Sequence, residues 1–306
     1  MAGQRQRKMR RRLFLIALVL SVLVLTKAWF DTMGDPVVQR AEIESDALAV
    51  GASPITIALI SDIHVAGPDM PPERLADIVR QINALKPDLV AIAGDLASEK
   101  RTATHVYTAA EVVAPLAKLD APLGTVLVPG NHDHWFDWPA LQSELNGIDN
   151  TTVLANEAVQ IGPLVIGGVD DDFTDRADLA ATVDSMAKLE GARVVLTHSP
   201  DIFPQVPVDV DAVLAGHTHC GQIAYPWGGS PATMSDYGDL YACGVVEQHN
   251  KTLITTAGLG TSLLPIRLFT QPEIWLITIR PPNPWRSDGR NSFGSMSLEG
   301  SGRLSP

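Results

Sequence analysis

The sequence predicts an α/β fold on three observations. From Ile55 onward, short apolar runs alternate with segments whose apolar residues recur at helical spacing. The runs have the length of buried strands, and the five that end at residues 60, 93, 128, 196 and 215 deliver Asp, Asn or His within the next three residues. The composition, 45% hydrophobic and 19% charged over 306 residues, suits a globular protein with a large core. We therefore expect one large α/β domain with smaller appendages.

The domain is expected to span residues 55–280. A helix is predicted after Pro71 and Pro72, ending before Pro87, because prolines favour the first turn of a helix and the positions beyond its end. Two further helices are predicted, over 109–119 and 178–189. The runs between 152 and 169 indicate the point where one sheet gives way to another. The predicted strands are 55–60, 89–93, 125–128, 152–154, 158–161, 164–169, 193–196, 212–215, 253–257 and 273–279.

The amino terminus has the pattern of a membrane anchor. Six basic residues within the first twelve precede an apolar stretch, Leu13 to Leu25, and Lys27, Trp29 and Phe30 suit the membrane interface. Residues 1–30 are predicted to be a basic cytoplasmic stub and a single transmembrane anchor, which leaves the domain outside the cytoplasmic membrane of a bacterium. The alternative is export by a cleaved signal peptide or by a twin-arginine signal at Arg11-Arg12.

The remaining segments and the charge set further limits. Residues 31–54 are predicted to be a linker or an edge segment, and residues 281–306 a disordered tail. The net charge is −12 although the amino terminus is basic, so the acidic body argues against nucleic-acid binding. With two cysteines, neither a disulfide framework nor a Cys-based zinc site is possible. We expect Cys220 and Cys243 to be small packed residues, and a disulfide between them outside the cytoplasm is the alternative.

The strand ends carry only oxygen and imidazole donors. Gly94 allows close approach of the backbone and delivers Asp95 at a strand end, and residues two apart, such as Asp62 and His64, point to the same side of an extended chain. Such ligands suit manganese, iron or zinc, and two ions about 3.5–4 Å apart suit displacement at phosphorus. The candidate residues are Asp62, His64, Asp95, Asn131, His132, His198, His217 and His219.

The ordered set of these motifs resembles the calcineurin-like metallophosphoesterase superfamily, over roughly residues 55–279. The motifs are Asp62-x-His64, Gly94-Asp95, Gly130-Asn131-His132-Asp133, His198 and Gly216-His217-x-His219. The resemblance implies a four-layer αββα sandwich of two mixed sheets with a dinuclear metal site at its edge. It implies hydrolysis of a phosphoester by a metal-bridging hydroxide.

The resemblance also implies a role for each residue. Asp62, His64 and His219 would bind one metal, and Asn131, His198 and His217 the other. Asp95 would bridge the two ions. His132 would face the phosphate as the catalytic residue, without being a ligand.

The second motif separates this chain from the protein Ser/Thr phosphatases. Their Gly-Asp-x-x-Asp-Arg is here Gly94-Asp95-Leu96-Ala97-Ser98-Glu99, so the Asp that orients the catalytic His and the Arg that binds phosphate are both missing. In contrast, the segments 258–262, 265–267 and 272–274 resemble the YkuE/YaeI-like branch of membrane-associated bacterial phosphodiesterases. That branch implies cleavage of phosphodiester or pyrophosphate bonds in membrane or envelope substrates, such as lipid-linked phosphates. A metal-binding module with little catalysis and a nuclease of the same superfamily are the alternatives.

Three further features have weaker interpretations. His134 is expected to line the substrate cleft. Arg267 is expected either to contact the substrate phosphate or to form a structural ion pair. Asp170, Asp171 and Asp172 are expected to form an acidic surface turn.

Overall fold

A computed structural model of the chain describes residues 2–283; of the tail predicted over 281–306, residues 284–306 lie outside this range. The α-helices are α1 (Ala2–Met33), α2 (Pro72–Leu85), α3 (Ala109–Val113), α4 (Asn131–Phe136), α5 (Trp138–Leu145) and α6 (Leu179–Met186). The strands are β1 (Val37–Glu44), β2 (Ile55–Ile60), β3 (Leu89–Ala93), β4 (Thr125–Val128), β5 (Thr151–Val153), β6 (Glu157–Ile161), β7 (Leu164–Gly168), β8 (Ala192–Leu196), β9 (Ala212–Ala215), β10 (Gly244–Gln248), β11 (Lys251–Thr255) and β12 (Glu273–Arg280). Short 3₁₀ helices lie at Leu116–Lys118, Pro200–Gln205, His219–Gly221 and Gly238–Leu240.

The strands form two mixed sheets of six strands each. The first sheet has the order β1-β12-β2-β3-β4-β5, and all its pairs are parallel except β12 with β2. The second has the order β10-β11-β9-β8-β7-β6, with antiparallel pairs only at its two edges. The parallel strands β2, β3 and β4 of one sheet and β8 and β9 of the other therefore present their carboxyl ends together.

The core is divided into three apolar layers, which makes the fold a four-layer αββα sandwich. Side chains such as Leu59 and Leu196 pack between the two sheets. The outer face of the first sheet packs on α2, α3 and α5, and the outer face of the second packs on α6 and on the helix Pro200–Gln205. This arrangement confirms the predicted fold class.

Helix α1 has the length and composition to cross a membrane, as a signal sequence near an amino terminus also does. Only 6% of its apolar 18-residue window is buried in the protein. Its last turn differs, because Ala28, Asp31 and Thr32 are buried against the domain.

Helices α4 and α5 and strand β10 were not predicted from the sequence, and two predicted segments take a more specific form in the structure. Residues 37–44, within the segment expected to be a linker or an edge segment, form the edge strand β1, which pairs in parallel with β12 from Val37↔Glu273 to Glu44↔Arg280. The helix expected over 109–119 is broken into α3 and a 3₁₀ turn. Pro115 lies at the break, where its missing N–H and its ring prevent an α-helix from continuing.

Candidate metal centre

The candidate side chains that follow five strands meet at one edge of the sandwich. They extend from β2, β3 and β4 in the first sheet and from β8 and β9 in the second. All are buried, with at most 7% of each residue exposed: Asp62, His64, Asp95, Asn131, His132, His198, His217 and His219. The structure thus brings together every residue that the sequence placed at the strand ends.

One group of donor atoms comes from Asp62, His64 and His219. The Nε2 atoms of the two histidines are 3.1 Å apart. Asp62 Oδ1 lies 3.3 Å from His219 Nε2 and 3.8 Å from His64 Nε2. Ligand atoms that share an ion at about 2.1 Å lie roughly 3–4 Å from one another, so this group has the spacing of a metal site.

A second group comes from Asn131, His198 and His217. Asn131 Oδ1 lies 3.1 Å from both His198 Nε2 and His217 Nδ1. The two ring nitrogens are 3.2 Å apart. His198 Nδ1 lies 2.7 Å from the carbonyl oxygen of Ala93 and can donate to it, which leaves Nε2 as the atom that faces the group.

Asp95 lies between the two groups. Its Oδ2 is 3.5 Å from His64 Nε2 and 3.2 Å from His198 Nε2. Its Oδ1 accepts a hydrogen bond from the His132 backbone N–H at 2.8 Å. One carboxylate oxygen therefore reaches both groups, as a bridging ligand must.

The hydrogen bonds of Asp62 indicate that a cation fits here. Its Oδ2 accepts from Ser61 Oγ at 2.6 Å and from the His217 backbone N–H at 3.0 Å. Its Oδ1 is buried and has no hydrogen-bond partner. Because a buried carboxylate oxygen without a partner is costly, a positive ion between Asp62, His64 and His219 would stabilise the folded protein.

Burial sets the protonation of most of the imidazoles. It lowers the pKa of His64 and His219 well below the usual value. Burial and the nearby His198 lower the pKa of His217 to about 4. These three rings are neutral at pH 7, and neutral imidazole is the form that binds metals.

His198 and Asp95 behave as a charged pair. Burial lowers the pKa of His198, but Asp95 outweighs burial and raises it well above the usual value. Burial likewise raises the pKa of Asp95, and His198 with its hydrogen bond outweighs it and holds that pKa well below the usual value. A cation bound by both residues would replace the proton on His198 Nε2.

Five of these residues have the left-handed backbone that non-glycine residues rarely adopt. Each such residue costs about 1–3 kcal/mol and is typical of functional sites. Their φ angles are 49° for Asp62, 50° for His64, 57° for Asp95, 69° for His217 and 52° for His219.

Glycine allows the strand ends of the two sheets to approach. A Cβ atom on Gly216 would lie 1.9 Å from Ser61 Oγ and 2.4 Å from Asp62 Oδ2. Gly94, with φ of 83°, would place a Cβ 2.7 Å from the backbone nitrogen of Gly130. Only a residue without a side chain fits these positions.

The histidine expected to be catalytic is held by a residue that sequence reasoning missed. Glu99 Oε2 lies 2.8 Å from His132 Nδ1, and Ser262 Oγ lies 3.3 Å from His132 Nε2. Burial lowers the pKa of His132, but the hydrogen bond to Glu99 and the charge of Asp95 outweigh it and raise the pKa. Glu99 is therefore positioned to orient His132, although it lies one residue beyond the Asp of the Ser/Thr phosphatase motif. A carboxylate next to the position of the orienting Asp was the sequence signal that could have identified Glu99.

Asp133 organises the backbone beneath the site. It is fully buried, and its two oxygens accept from the backbone N–H groups of Asp95, Leu96, Ala97 and Gly130. Burial and the charge of Asp95 raise its pKa to about 7 despite these donors. Asp133 thereby connects the loop after β3 to the start of α4.

His134 is largely buried and paired with an acidic residue. Its Nε2 lies 2.7 Å from Asp170 Oδ1, and 6% of its side chain is exposed. The expected acidic surface turn at 170–172 is wrong for Asp171, which is fully buried and accepts from the backbone N–H and hydroxyl of Thr174. The exposed aromatic side chains beside the site are instead Trp135 and Phe173. Trp135 lies 4.9 Å from the His132 ring, and Phe173 lies 4.7 Å from the His217 ring.

Arg267 forms no ion pair with a carboxylate in the part of the chain that the structure describes. It is fully buried, and its Nη2 donates to the carbonyl oxygens of Ala257, Gly258 and Gly260 at 2.6–3.1 Å. Burial lowers its pKa to about 10, so it stays charged at pH 7. Most of its partners are backbone carbonyls, and its Nη2 also lies 3.4 Å from His219 Nδ1, so Arg267 supports both the segment 257–260 and a candidate metal ligand.

The expectation for the two cysteines was wrong. Cys220 and Cys243 form a disulfide, with Cα atoms 4.7 Å apart. Cys220 directly follows His219, so the disulfide ties the last strand-end motif to the residue before β10. The two cysteines are 23 positions apart in the chain, and this spacing alone does not show that they meet.

The fold and this edge define an α/β protein with clustered His and Asp side chains that are able to bind metal ions. Residues 55–221, more than half of the chain, match the profile of the calcineurin-like phosphoesterase family. The chain therefore belongs to the calcineurin-like phosphoesterases, a family whose members use two divalent metals. The family expected from the motifs is confirmed.

Individual relatives agree with this assignment. The chain is 29% identical over 247 residues to "Uncharacterized metallophosphoesterase YkuE" of Bacillus subtilis, covering 79% of this chain and 84% of the relative. It is 30% identical over 278 residues to "Uncharacterized metallophosphoesterase YkoQ" of the same organism, covering 86% and 98%. It is also 33% identical over 232 residues to the bovine "Transmembrane protein with metallophosphoesterase domain", covering 68% of this chain and 49% of that protein.

Replacement of Asp133 tests the support beneath the site. Asp133→Asn puts an amide NH₂ where one oxygen now accepts two backbone N–H groups, and each buried donor left unpaired costs about 1–3 kcal/mol. We expect the free energy of unfolding, measured by urea denaturation, to fall by at least about 2 kcal/mol. Asp137→Asn is the matched control, because Asp137 is an exposed helix cap where Asn serves equally well. Equal stability of the two variants would contradict this role for Asp133.

Proposed function

We propose that this protein hydrolyses phosphodiester or pyrophosphate bonds with two divalent metal ions at the strand-end site. Asp62, His64 and His219 would hold one ion, and Asn131, His198 and His217 the other, with Asp95 shared. The observation that carries the proposal is the spacing of the donor atoms, 3.1–3.8 Å within each group, with one Asp95 oxygen near both. The donor set of carboxylate, amide and imidazole suits manganese, iron or zinc.

Bound at these residues, the two ions would supply Lewis-acid polarisation of the phosphoryl group and would acidify a water molecule. The protein itself contributes His132. The Nε2 of this ring lies near the Ser262 hydroxyl, and its Nδ1 is hydrogen-bonded to Glu99. With its pKa raised, the ring is suited to donate a proton to the leaving oxygen or to stabilise its charge. Glu99 is a positioning residue in this mechanism, because it acts through His132.

The charges at the site favour phosphodiesters over phosphomonoesters such as phosphoproteins. The second motif lacks the phosphate-binding Arg of the Ser/Thr phosphatases, and Arg267 donates to backbone carbonyls instead. The site would thus leave more of the negative charge of a dianionic monoester uncompensated than of a singly charged diester. Trp135 and Phe173, about half exposed beside the site, offer apolar faces to the group attached to the phosphate.

The domain is proposed to lie outside the cytoplasmic membrane, held by α1. The basic residues before the apolar stretch favour a cytoplasmic amino terminus. The disulfide Cys220–Cys243 supports this orientation, because disulfides persist in oxidising compartments. Substrates in the membrane or envelope, such as lipid-linked phosphates, follow from this location.

Hydrolysis of bis-p-nitrophenyl phosphate by the purified full chain with Mn²⁺ is the direct test. We expect Asp95→Asn to abolish the activity and to reduce bound metal, measured by elemental analysis, because the variant loses the shared carboxylate. Asp149→Asn, an exposed change, is the control and should keep both. If the parent chain hydrolyses no diester or pyrophosphate with any divalent ion, the proposal is wrong.

The roles of His132 and Glu99 are tested separately from metal binding. His132→Ala should keep the metal content and lower turnover by about 100-fold or more. Glu99→Gln should lower kcat by about 10-fold with little change in KM, whereas Glu144→Gln on the exposed face of α5 should change neither. A Glu99→Gln variant with full turnover would show that the hydrogen bond does not serve catalysis.

Thiol trapping in intact cells tests the location. Free thiols are first blocked in the intact cells, and the lysate is then labelled with a maleimide-polymer, with or without prior reduction. Since the chain has two cysteines, we expect the label to raise the apparent mass of the protein by two steps after reduction and not at all without it. Blocking of both thiols by the first reagent would place the domain in a reducing compartment and contradict the proposed orientation.

A further inference from the structure

The domain begins to contact α1 almost directly after the apolar stretch of the helix ends. Leu25 is exposed, whereas Ala28 is 4% exposed against the domain. At 1.5 Å of rise per residue, these positions are about 4.5 Å apart along the helix. A bilayer has a hydrocarbon core of about 30 Å and a total thickness of about 40–45 Å, so each headgroup layer is roughly 5–7 Å deep. The 13 residues of the apolar stretch rise only about 20 Å, so if they cross the membrane, the parts of the domain beside residues 27–31 lie no farther from the bilayer centre than the headgroups.

Phe269 is held at this level by α1 itself. Its backbone N–H donates to Asp31 Oδ2 at 2.8 Å, and Lys27 Nζ lies 4.8 Å from the centre of its ring. Lys27 and Asp31 also pair with each other at 2.8 Å. Two contacts therefore fix the position of Phe269 relative to the helix, and the Lys27–Asp31 pair joins their two partners.

Phe269 is one of six exposed apolar side chains on two loops, 222–229 and 262–270. We call this set the apolar rim: Ile223, Tyr225, Trp227, Leu263, Leu264 and Phe269, each 36–80% exposed. Trp227 is the most exposed of them, and its ring stacks on Tyr225 with centroids 5.3 Å apart. Exposed apolar side chains collected in one place indicate an interaction surface.

Hydrogen bonds join the two loops into one surface. The Ala224 N–H donates to the Leu268 carbonyl oxygen at 2.9 Å. Gln222 Nε2 donates to the carbonyl oxygens of Leu264 and Ile266 at 3.0 and 2.9 Å. The two loops contain a single charged residue, Arg267, and it is fully buried. A surface of Trp, Tyr, Leu and Phe with a half-exposed Lys27 at its edge has the composition that membrane interfaces favour.

The rim also borders the candidate active site. Leu263 directly follows Ser262, whose hydroxyl lies 3.3 Å from His132 Nε2. Lys100 fixes this loop from below, since its Nζ donates to Thr261 Oγ1 at 3.0 Å and pairs with Asp69 at 2.6 Å. The loop that reaches the candidate catalytic histidine thus carries the apolar side chains at its tip.

We propose that the apolar rim inserts into the lipid surface of the membrane that α1 crosses, so that the active site opens at the level of the lipid headgroups. This inference rests on the membrane attachment stated under the proposed function. Its occupant is a lipid bilayer, and the argument for it is the continuity of the rim with the end of α1 at headgroup depth. The protein then has a fixed orientation on the membrane in addition to a tether.

The test uses the full chain in vesicles of phosphatidylcholine with brominated or unmodified acyl chains. Leu263→Cys and Trp227→Cys each receive an environment-sensitive fluorophore, without reductant, so that the native disulfide stays closed. Both positions are exposed, so neither change removes a core side chain. The control is Val208→Cys, which is 68% exposed and precedes the amino end of β9, at the sheet edge opposite the site.

We expect both rim labels to emit at shorter wavelength in vesicles and to lose intensity with brominated lipid, while the label at 208 does neither. Rim labels that behave like the control would overturn the inference. A wavelength shift without quenching would overturn it too, because the rim would then be covered by protein, such as a second copy of the chain. Two further measurements are made on the same samples. Hydrolysis of bis-p-nitrophenyl phosphate tests the proposed activity, and flotation with vesicles tests attachment by α1, so a failure of either is distinguished from a failure of the rim to insert.

Discussion

The structure depends on one constraint: the negative charges of two carboxylates buried close together must be balanced by positive charge or hydrogen bonds. Asp62 and Asp95 are at most 1% exposed, and burying an ionised carboxylate without a partner costs several kcal/mol. His198 compensates Asp95. Burial raises the pKa of Asp62, and its Oδ1 has no partner. Since the neighbouring His64 and His219 are neutral, they offer lone pairs and no charge, and a cation is the component that completes the cluster.

The two sheets make this concentration of charge possible. Residues such as Leu59 and Leu196 alternate with outward-facing ones and fill the layer between the sheets, which fixes the sheets about 10 Å apart. The carboxyl ends of β2, β3 and β4 then lie opposite those of β8 and β9. The chain turns sharply after each strand, with left-handed backbone at the ligand positions, and no strand contributes more than two of the candidate side chains. The backbone strain is therefore distributed over several loops, and the burial of apolar side chains in a large core offsets its cost.

Features that are local in the chain could be predicted, and features that depend on distant contacts could not. The strands β2, β3, β4 and β9 have the predicted bounds because each is a continuous apolar run between breakers. β1 was missed as a strand because most of its residues are not buried; its pairing with β12, over 200 residues later, supplies what its sequence lacks. The turn His249-Asn250 between β10 and β11, with both φ angles positive, replaces the usual Asn-Gly signal.

The candidate site shows the same division. Its donor residues could be read from motifs because each motif is a few residues long. Glu99 and the disulfide could not, because a loop conformation decides whether Glu99 reaches His132, and a chain separation of 23 residues says nothing of Cα distance. Asp171 was misjudged because a run of three acidic residues looks solvated, although its carboxylate caps the turn at Thr174. In each case the deciding interaction joins a residue to a partner that no sequence pattern specifies.

Arg267 shows how far such an interaction can reach. Its guanidinium binds the segment 257–260, and the backbone N–H of Gly260 in turn donates to the carbonyl oxygen of Asp62 at 2.7 Å. The backbone N–H of Arg267 donates to Thr32 Oγ1, at the end of α1, at 2.7 Å. One buried residue therefore links the end of the amino-terminal helix to the loop that carries a candidate metal ligand. Only a planar fork with several donors can satisfy carbonyl oxygens in this arrangement, so a Lys here would leave some of them unpaired. The last turn of the helix and the loop that carries Asp62 are thus held together through a single buried side chain.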